Sequence, residues 1–384
     1  MKIGIEGQRL FRKKKHGMDM VALELIRNLQ EIDTENEYFI YIAPDEDDTC
    51  LQETSNFHIR KLDGGFYPFW EQIALPKAAK ADGCQILHCT SNTSPVRTAI
   101  PLVTTLHDII YMEKSVLQIL RGSGTAYQNF GNVYRRLVVP RVVKSSSIVI
   151  TVSHFEKNRI ADVFHLNDNK LRAVYNGVST HFKRITDTEE LARTAEKYHL
   201  PPRFLFHLGN TDPKKNTQGV LNAYASYLKQ NQDDIPLVML DFDEDELSSM
   251  ILKTGSPDLR KNIKLTGYVI NTDLPAIYSL CEAFLYPSLR ESFGIPILEA
   301  MACGAPVLTG NTSSMPEIAG DAALIIDPYD HIGMASSIQT IIQDTDLRQN
   351  LTEKGYTQAA KFSWRAMSEN VLNIYRELAV THKL

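Results

Sequence analysis

Short apolar strands alternate with helical segments along the whole chain, and this alternation occurs twice. In the first half, strands are predicted at Lys2–Glu6, Tyr38–Ile42, Ile86–His88, Leu102–Leu106, Ser147–Val152 and Leu171–Val174. In the second half, strands are predicted at Phe204–Leu208, Leu237–Leu240, Ile263–Leu265, Ala283–Tyr286, Pro306–Thr309 and Ala323–Ile326. Strands that are separated by helices favour a parallel, doubly wound sheet. The sequence therefore predicts an α/β protein with two such sheets.

The segments between the predicted strands have apolar residues at helical spacing. In the first of these segments, Val21, Leu25 and Leu29 recur at the spacing of one helix face. Helices are predicted at Met18–Gln30, Trp70–Ala79, Tyr127–Lys144, Asn216–Leu228, Asp273–Cys281, Ile295–Cys303 and Ile332–Ile342.

A polar stretch from Ser179 to about Arg193 separates the two halves and is interpreted as a linker that finishes in a helix of the second domain. With 384 residues, the chain exceeds the length at which one hydrophobic core usually keeps growing, so two domains are expected. We place them at residues 1–180 and 181–363. Near the end, Ser363 caps an amphipathic helix that is predicted to reach Leu378.

Composition and charge exclude several classes of protein. A net charge of -5 provides no general attraction to nucleic acid. No run approaches the roughly 18 apolar residues of a membrane-spanning helix, and the first strand begins directly at the N-terminus, so a cytoplasmic location is expected. The five scattered cysteines are expected to be reduced. Cys84, His88 and Cys89 lie close together, but no second ligand pair has metal spacing, so no metal is predicted there.

Two carboxylates, Glu291 and Glu299, stand eight positions apart across a loop that becomes a helix. In one continuous helix they would be about 12 Å apart along the axis, too far to share a proton. We therefore expect Glu291 in a loop after a strand and Glu299 about two turns into the helix, with the helix N-terminus between them facing an anion. The helix around Glu299 is almost entirely apolar, so this carboxylate is expected to have a partner.

A second candidate site follows the strand Phe204–Leu208. Gly209 and Asn210 open a loop that carries Lys214 and Lys215 before a helix near Asn216. A glycine lets the backbone approach a phosphate closely, and an ammonium group supplies a point charge. A solvated turn with both lysines in water explains the loop equally well.

In the first domain, two features have both a functional and a structural interpretation. His107 follows the strand Leu102–Leu106 at its carboxyl end, which is where sheets of this kind bind ligands. A buried histidine with its hydrogen bonds made inside the core is the more usual case. The basic runs 12–16 and 135–144 could contact an anionic ligand or a membrane surface, although such runs are more often solvated.

Two further motifs are disfavoured as functional sites. Gly4 and Gly7 lack the third glycine and the spacing of the dinucleotide-binding fingerprint. Asp241 and Asp243 resemble an Asp-x-Asp metal site, but they continue into Glu244, Asp245 and Glu246, as a solvated acidic loop would.

Taken together, these motifs resemble the retaining glycosyltransferases of family four, which have the GT-B fold. The resemblance covers nearly the whole chain. It is carried by Glu291-Ser292-Phe293-Gly294, by Glu299-Ala300-Met301-Ala302-Cys303-Gly304-Ala305-Pro306-Val307, by Pro316-Glu317, and more weakly by Thr105-Leu106-His107-Asp108 and Trp70-Glu71-Gln72. It implies two Rossmann-like domains that face a central cleft. The N-terminal domain would bind the acceptor, the C-terminal domain would bind the donor, and a helix at 364–384 would return to the N-terminal domain.

The resemblance also implies roles for individual residues. Glu291 would bind hydroxyls of the donor sugar and Glu299 those of the ribose, while Lys215 would hold the diphosphate. Further donor-binding positions are expected at Gly209, Asn210, Lys214, Ser292, Phe293, Gly294 and Ile295. His107 would lie near the reacting sugar, and Gly17 in a loop that faces phosphate and acceptor. Asn210 stands where many members carry an arginine, so a second cationic contact with the phosphates would come from Lys214 or from the first domain.

The activity implied is transfer of a hexose from a nucleotide diphosphate sugar to a saccharide or lipid-linked saccharide, in cell-surface polysaccharide biosynthesis. Mannose from GDP-mannose is the first choice of donor. No metal or other cofactor is expected, and peripheral membrane contact through basic residues of the N-terminal domain remains open. The alternatives are a nucleotide-sugar epimerase or hydrolase of the same fold, and a non-catalytic protein that binds sugar nucleotides.

Overall fold

A computed structural model of the chain describes residues 1–63, 65–113, 126–167, 169–230 and 234–383, with the backbone alone for 126–129. It contains two parallel sheets with helices between consecutive strands. The predicted fold class is therefore confirmed. Within the described residues, no helix is both long enough and apolar enough to cross a lipid bilayer.

The first sheet has seven strands in the order β3-β2-β1-β4-β5-β6-β7. Six of the strands match predicted segments. The seventh, β3, was not predicted because its sequence, Phe-His-Ile-Arg-Lys, contains no continuous apolar run. It lies at the edge of the sheet, where polar side chains are tolerated. The strands are β1 Lys2–Glu6, β2 Glu37–Ile42, β3 Phe57–Lys61, β4 Ile86–Cys89, β5 Leu102–Thr105, β6 Ile148–Thr151 and β7 Leu171–Ala173.

The second sheet has six strands in the order β10-β9-β8-β11-β12-β13, and all six were predicted. The four inner strands, β9, β8, β11 and β12, are buried on both faces, which explains their nearly continuous apolar sequences. The strands are β8 Leu205–His207, β9 Leu237–Met239, β10 Ile263–Leu265, β11 Ala283–Tyr286, β12 Val307–Gly310 and β13 Ala323–Ile326.

The described helices include all seven that were predicted between strands, with one difference. The segment predicted as a single helix at Trp70–Ala79 begins with a π-helical turn at Trp70–Ala74. Around the first sheet, the helices are Gly17–Ile32, Tyr67–Phe69, Leu75–Ala81, Ile110–Glu113, Ala126–Ser145, His154–Phe164 and Trp364–His382. Around the second, they are Thr188–Tyr198, Thr217–Gln230, Glu244–Lys253, Leu274–Leu280, Ile295–Ala302, Met315–Ala319, His331–Gln343 and Thr345–Ala359, with 3-10 turns at Pro213–Lys215 and Pro257–Asn262.

The chain divides into two compact units. The first consists of Met1–Gly177 together with Trp364–Leu384, and the second is Val178–Ser363. The helix Thr188–Tyr198 starts within the predicted linker, because Asp187 accepts hydrogen bonds from the first backbone N–H groups of the helix. The helix packs against Leu274–Leu280, so the end of the polar stretch belongs to the second unit.

The C-terminal helix belongs to the first unit and packs along the helix Gly17–Ile32. A buried polar contact attaches it to the sheet: the Tyr375 hydroxyl lies 2.6 Å from Nδ1 of His88, whose Nε2 lies 2.8 Å from Oγ1 of Thr105. Burial lowers the pKa of His88 to about 3, with a smaller effect from His107, so the ring is neutral and one of its nitrogens accepts a hydrogen bond. The predicted return of this helix to the N-terminal unit is confirmed.

Candidate active site

The candidate site of the second unit lies at the carboxyl ends of β8 and β11. These two strands are neighbours, but the chain continues from β8 to β9 on one side of the sheet and from β11 to β12 on the other. The loops after the two strands therefore diverge and leave a crevice between them, which is where open α/β sheets bind ligands.

The loop after β8 has a defined shape that starts with a glycine. A Cβ atom at Gly209 would lie 2.6 Å from the ring of Phe242, so only glycine fits without movement. The Oδ1 atom of Asn210 accepts from the backbone N–H of Asp212 at 2.8 Å, and the Thr217 hydroxyl donates to the Asn210 carbonyl at 2.7 Å. The side chain of Asn210 thus stabilises the loop that presents the lysines.

Asn216 attaches this loop to the rest of the site. It adopts a left-handed backbone conformation, with a φ of 59°, directly after the turn Pro213–Lys215. Its buried Nδ2 donates to the carbonyl oxygens of Pro287 at 3.0 Å and of Pro328 at 2.9 Å. A tight backbone hydrogen bond from Leu289 N–H to the Lys214 carbonyl, 2.7 Å long, adds to this attachment. The two lysines are therefore held by backbone geometry against the segment that follows β11.

Lys215 forms an ion pair with Glu291. Its Nζ lies 2.7 Å from Oε1 of Glu291 and donates to the Tyr286 hydroxyl at 3.2 Å. The Tyr286 hydroxyl donates in turn to the same Glu291 oxygen at 2.9 Å. Both charged side chains are largely buried, with 25% of Lys215 and 11% of Glu291 exposed. An ammonium group has three N–H bonds, so these two contacts leave capacity for an anionic ligand.

The surroundings keep Tyr286 and His207 neutral. Burial, followed by the charge of Glu291, raises the pKa of Tyr286 well above its usual value. Burial lowers the pKa of His207 to about 4, with a smaller effect from the charge of Lys215. The hydrogen bond that its Nδ1 donates to the Leu285 carbonyl at 2.9 Å opposes this shift. Lys215 therefore lies beside a tyrosine and a histidine that are both uncharged. Neither of these two residues was predicted from the sequence to belong to the site, although each is the last residue of a strand.

Residues after β12 hold the backbone on either side of Ser292. Glu291 N–H donates to the Ser313 hydroxyl at 3.0 Å, and the Ser314 hydroxyl lies 2.8 Å from the Phe293 carbonyl. Phe293 is buried, and Gly294 has a φ of 108° that favours glycine. The loop thus reaches the helix Ile295–Ala302 in a fixed conformation. The partial positive charge of that helix N-terminus favours an anion.

Glu299 lies little more than one turn into this helix, closer to its start than the predicted two turns. It is partly buried, and the Tyr278 hydroxyl lies 3.4 Å from its Oε2, so Tyr278 is the expected partner. Burial raises the pKa of Glu299 to about 7, an effect that Tyr278 partly offsets. Because Glu291 is paired with Lys215, the two carboxylates occupy different environments.

The candidates of the first unit lie at the carboxyl end of its sheet. His107 is buried, its backbone N–H donates to Oδ1 of Asn92 at 2.6 Å, and its Nε2 lies 2.9 Å from the Thr90 carbonyl. Burial lowers the pKa of His107, so the neutral ring donates from Nε2 and keeps Nδ1 as an acceptor. Gly17 is the first residue of its helix, is exposed, and has no atom within 4 Å of an added Cβ.

The acidic loop after β9 has a structural role. Oδ1 of Asp243 accepts hydrogen bonds from the N–H groups of Asp245 and Glu246, at 2.9 and 3.0 Å, and so caps the helix Glu244–Lys253. Glu244 pairs with Arg260 on the surface. Across the described part of the chain, no group of three or more histidine, cysteine or acidic side chains is arranged to hold a metal ion.

Two family models match the sequence, one on each half. The model described as Glycosyltransferase Family 4 matches residues 16–182, and the model described as Glycosyl transferases group 1 matches residues 189–358. The second match contains the complete site around Lys215, Glu291 and Glu299.

Similar proteins include O-antigen chain mannosyltransferase B of Escherichia coli, which is 32% identical over 61% of this chain and 61% of its own length. The serotype-specific mannosyltransferase WbdA of Escherichia coli is 28% identical over 56% of this chain. The chain spans only 27% of the length of WbdA. Among solved structures, HepE of Anabaena in complex with UDP and glucose has a TM-score of 0.74 at 17% identity, covering 98% of this chain and all of that one.

Proposed function

Because the chain belongs to the glycosyltransferases of family 4 and group 1, we propose that it transfers a hexose from a nucleotide diphosphate sugar to a saccharide acceptor with retention of configuration. The pairing of Lys215 with Glu291 carries this proposal. It places a cation beside a hydroxyl-binding carboxylate at the point where the strand order diverges. In a nucleotide diphosphate sugar, the sugar is attached directly to the diphosphate. A donor site therefore needs a cation for the diphosphate and a carboxylate for the sugar hydroxyls next to each other.

The proposed donor site uses each part of this arrangement. Lys215 and the N–H groups between Phe293 and Ile295 hold the diphosphate, Glu291 binds sugar hydroxyls, and Glu299 binds the ribose. As the bond from the sugar carbon to the phosphate oxygen breaks, negative charge grows on the diphosphate, and Lys215 and the helix N-terminus stabilise it. The oxygen of the acceptor hydroxyl bonds to the same face of the sugar, and its proton passes to the diphosphate oxygen that leaves.

In the first unit, we assign His107 to the neighbourhood of the reacting sugar and Gly17 to the acceptor and phosphate loop. The neutral His107 ring can accept a hydrogen bond from a sugar hydroxyl at Nδ1. The exposed helix start at Gly17 leaves space for a ligand to approach backbone N–H groups, which a side chain there would restrict. These roles make the first unit the acceptor side of the enzyme.

The proposed donor is GDP-mannose. Two relatives are named as mannosyltransferases, which supports mannose as the transferred sugar. A ligand present at a hundred times its dissociation constant stabilises a protein by about 2.7 kcal/mol. We expect GDP-mannose to raise the melting temperature more than UDP-glucose, UDP-galactose or GDP alone at equal concentration. A thermal-shift series measures this directly. Equal shifts from all nucleotides would contradict the choice of donor but not the site.

The proposed reaction needs no metal, because Lys215 and the helix N-terminus supply the positive charge at the diphosphate. We expect turnover to remain within about twofold of the untreated enzyme after incubation with EDTA. The measurement is release of nucleotide diphosphate in the presence of acceptor, with added magnesium as the comparison. Abolition by EDTA with recovery on magnesium would contradict the metal-free reaction, and Asp241 and Asp243 would then be the first residues to test as ligands.

A nucleotide-sugar epimerase or hydrolase, and a non-catalytic binding protein, are distinguished from a transferase by their dependence on acceptor. We propose a saccharide or lipid-linked saccharide as acceptor, in surface polysaccharide assembly. Donor consumption that requires acceptor supports transfer. Consumption without acceptor would indicate hydrolysis or isomerisation, and binding without consumption across a panel of acceptors would indicate a binding protein.

A further inference from the structure

Two helical segments of the first unit expose a group of large apolar side chains. The first segment covers residues 66–81 and the second covers residues 126–145. Six apolar side chains on them are between 39% and 60% exposed. We call them the apolar patch, and they are Phe66, Phe69, Ile73, Phe130, Val133 and Leu137.

The two segments are fixed to each other, so the patch is one surface. The rings of Phe66 and Phe130 lie 5.5 Å apart. Beneath them, the buried carboxylate of Glu71 accepts hydrogen bonds from the hydroxyls of Tyr67, at 2.7 Å, and of Tyr134, which belongs to the second segment. The π-helical turn Trp70–Ala74 carries this carboxylate inwards while Ile73 stays exposed.

Basic side chains continue the exposed face of each segment beyond the patch. Lys77 and Lys80 follow Ile73 at helical spacing, and Arg141 and Lys144 follow Leu137 in the same way, all four of them exposed. The two segments contain six lysines and arginines against a single acid, the buried Glu71, whereas the whole chain has a net charge of -5. The two segments that carry the patch are therefore positively charged, although the net charge of the whole chain is negative.

From this combination we propose that the two segments dock on an anionic lipid surface. Aromatic and aliphatic side chains enter the boundary between headgroups and acyl chains, while flanking lysines and arginines attract acidic headgroups. A second copy of the chain is a poor occupant, because a two-fold contact would bring the same basic residues together. The basic run 12–16 is a weaker candidate, since Lys13 pairs with Glu46 and Lys15 with Asp47.

Flotation with vesicles of phosphatidylglycerol and phosphatidylcholine tests the proposal, with pure phosphatidylcholine as the comparison. These vesicles contain neither donor nor acceptor, so the result is independent of glycosyl transfer. We expect the intact chain to bind the anionic vesicles and to be released by 0.5 M salt. Each basic side chain contributes about fivefold to such binding, so the K77Q/K80Q/R141Q/K144Q variant should bind at least about tenfold more weakly.

The variant F69S/I73S/L137S should lose binding as well. Because each of the three side chains is about half buried, circular dichroism checks that the variant remains folded. Matched controls are L252S/V380S, which changes two other exposed apolar residues, and K13Q/K14Q. Both controls should bind like the original chain. Absence of binding, equal binding by the patch variants, or a dimer in solution that F69S/I73S/L137S dissociates would overturn the proposal.

Discussion

Replacing Lys215 with alanine is expected to lower the turnover of sugar transfer by about a hundredfold to a thousandfold. Removal of one preorganised charge contact to a developing anion has effects of this size. The substitution also leaves Glu291, only 11% exposed, without its cation. We therefore expect weaker binding of the nucleoside diphosphate in addition to slower turnover, and both are measurable by transfer assays and calorimetry with GDP.

Lys214→Ala is the matched control for this experiment. Lys214 lies one position earlier in the same turn, but its side chain is more exposed and pairs with Asp212 at 3.2 Å. We expect less than about a tenfold effect there, since exposed ion pairs contribute little. Near-normal transfer by Lys215→Ala, or an equal loss from both variants, would contradict the specific role given to Lys215.

Strand positions could be predicted because buried parallel strands have nearly continuous apolar sequences. The four inner strands of the second sheet illustrate this. The edge strand β3 was not predicted, since its polar residues interrupt the apolar run. The π-helical turn at Trp70–Ala74 was predicted as ordinary helix because hydrophobic spacing does not distinguish one widened turn. Local patterns thus predict elements whose side chains are uniformly buried.

The candidate site was only partly accessible from sequence. Lys215, Glu291 and Glu299 could be selected because their positions match a known motif, but the motif does not show that Lys215 and Glu291 form an ion pair across 76 residues. Tyr286 and Tyr278 were missed, since each provides a single hydroxyl whose importance depends on distance to a carboxylate. Asn216 was taken only as a helix start, whereas its side chain connects three loops.

The raised pKa of Glu299 predicts a specific dependence of stability on pH. Its pKa is about 7 in the folded chain, against 4.5 as the ordinary value. The folded state therefore binds the proton more tightly than the unfolded state between these two values. Its favourable contribution is complete below pH 4.5, and it is lost as pH rises to about 7. The loss is at most about 3 kcal/mol at 1.36 kcal/mol per pKa unit.

Glu299→Gln should remove this dependence, because glutamine has a similar shape and no charge at any of these pH values. We expect the variant to match the original chain near pH 4 and to exceed its free energy of unfolding by about 1 to 3 kcal/mol near pH 8. Urea denaturation at both pH values measures the difference, with exposed Glu353→Gln as the control that should change stability at neither pH.

Glu299→Gln should also bind donor more weakly near pH 8, where ionised Glu299 accepts hydrogen bonds from the ribose hydroxyls. Unchanged stability would contradict the burial of a carboxylate there, and unchanged donor binding would contradict its role at the ribose.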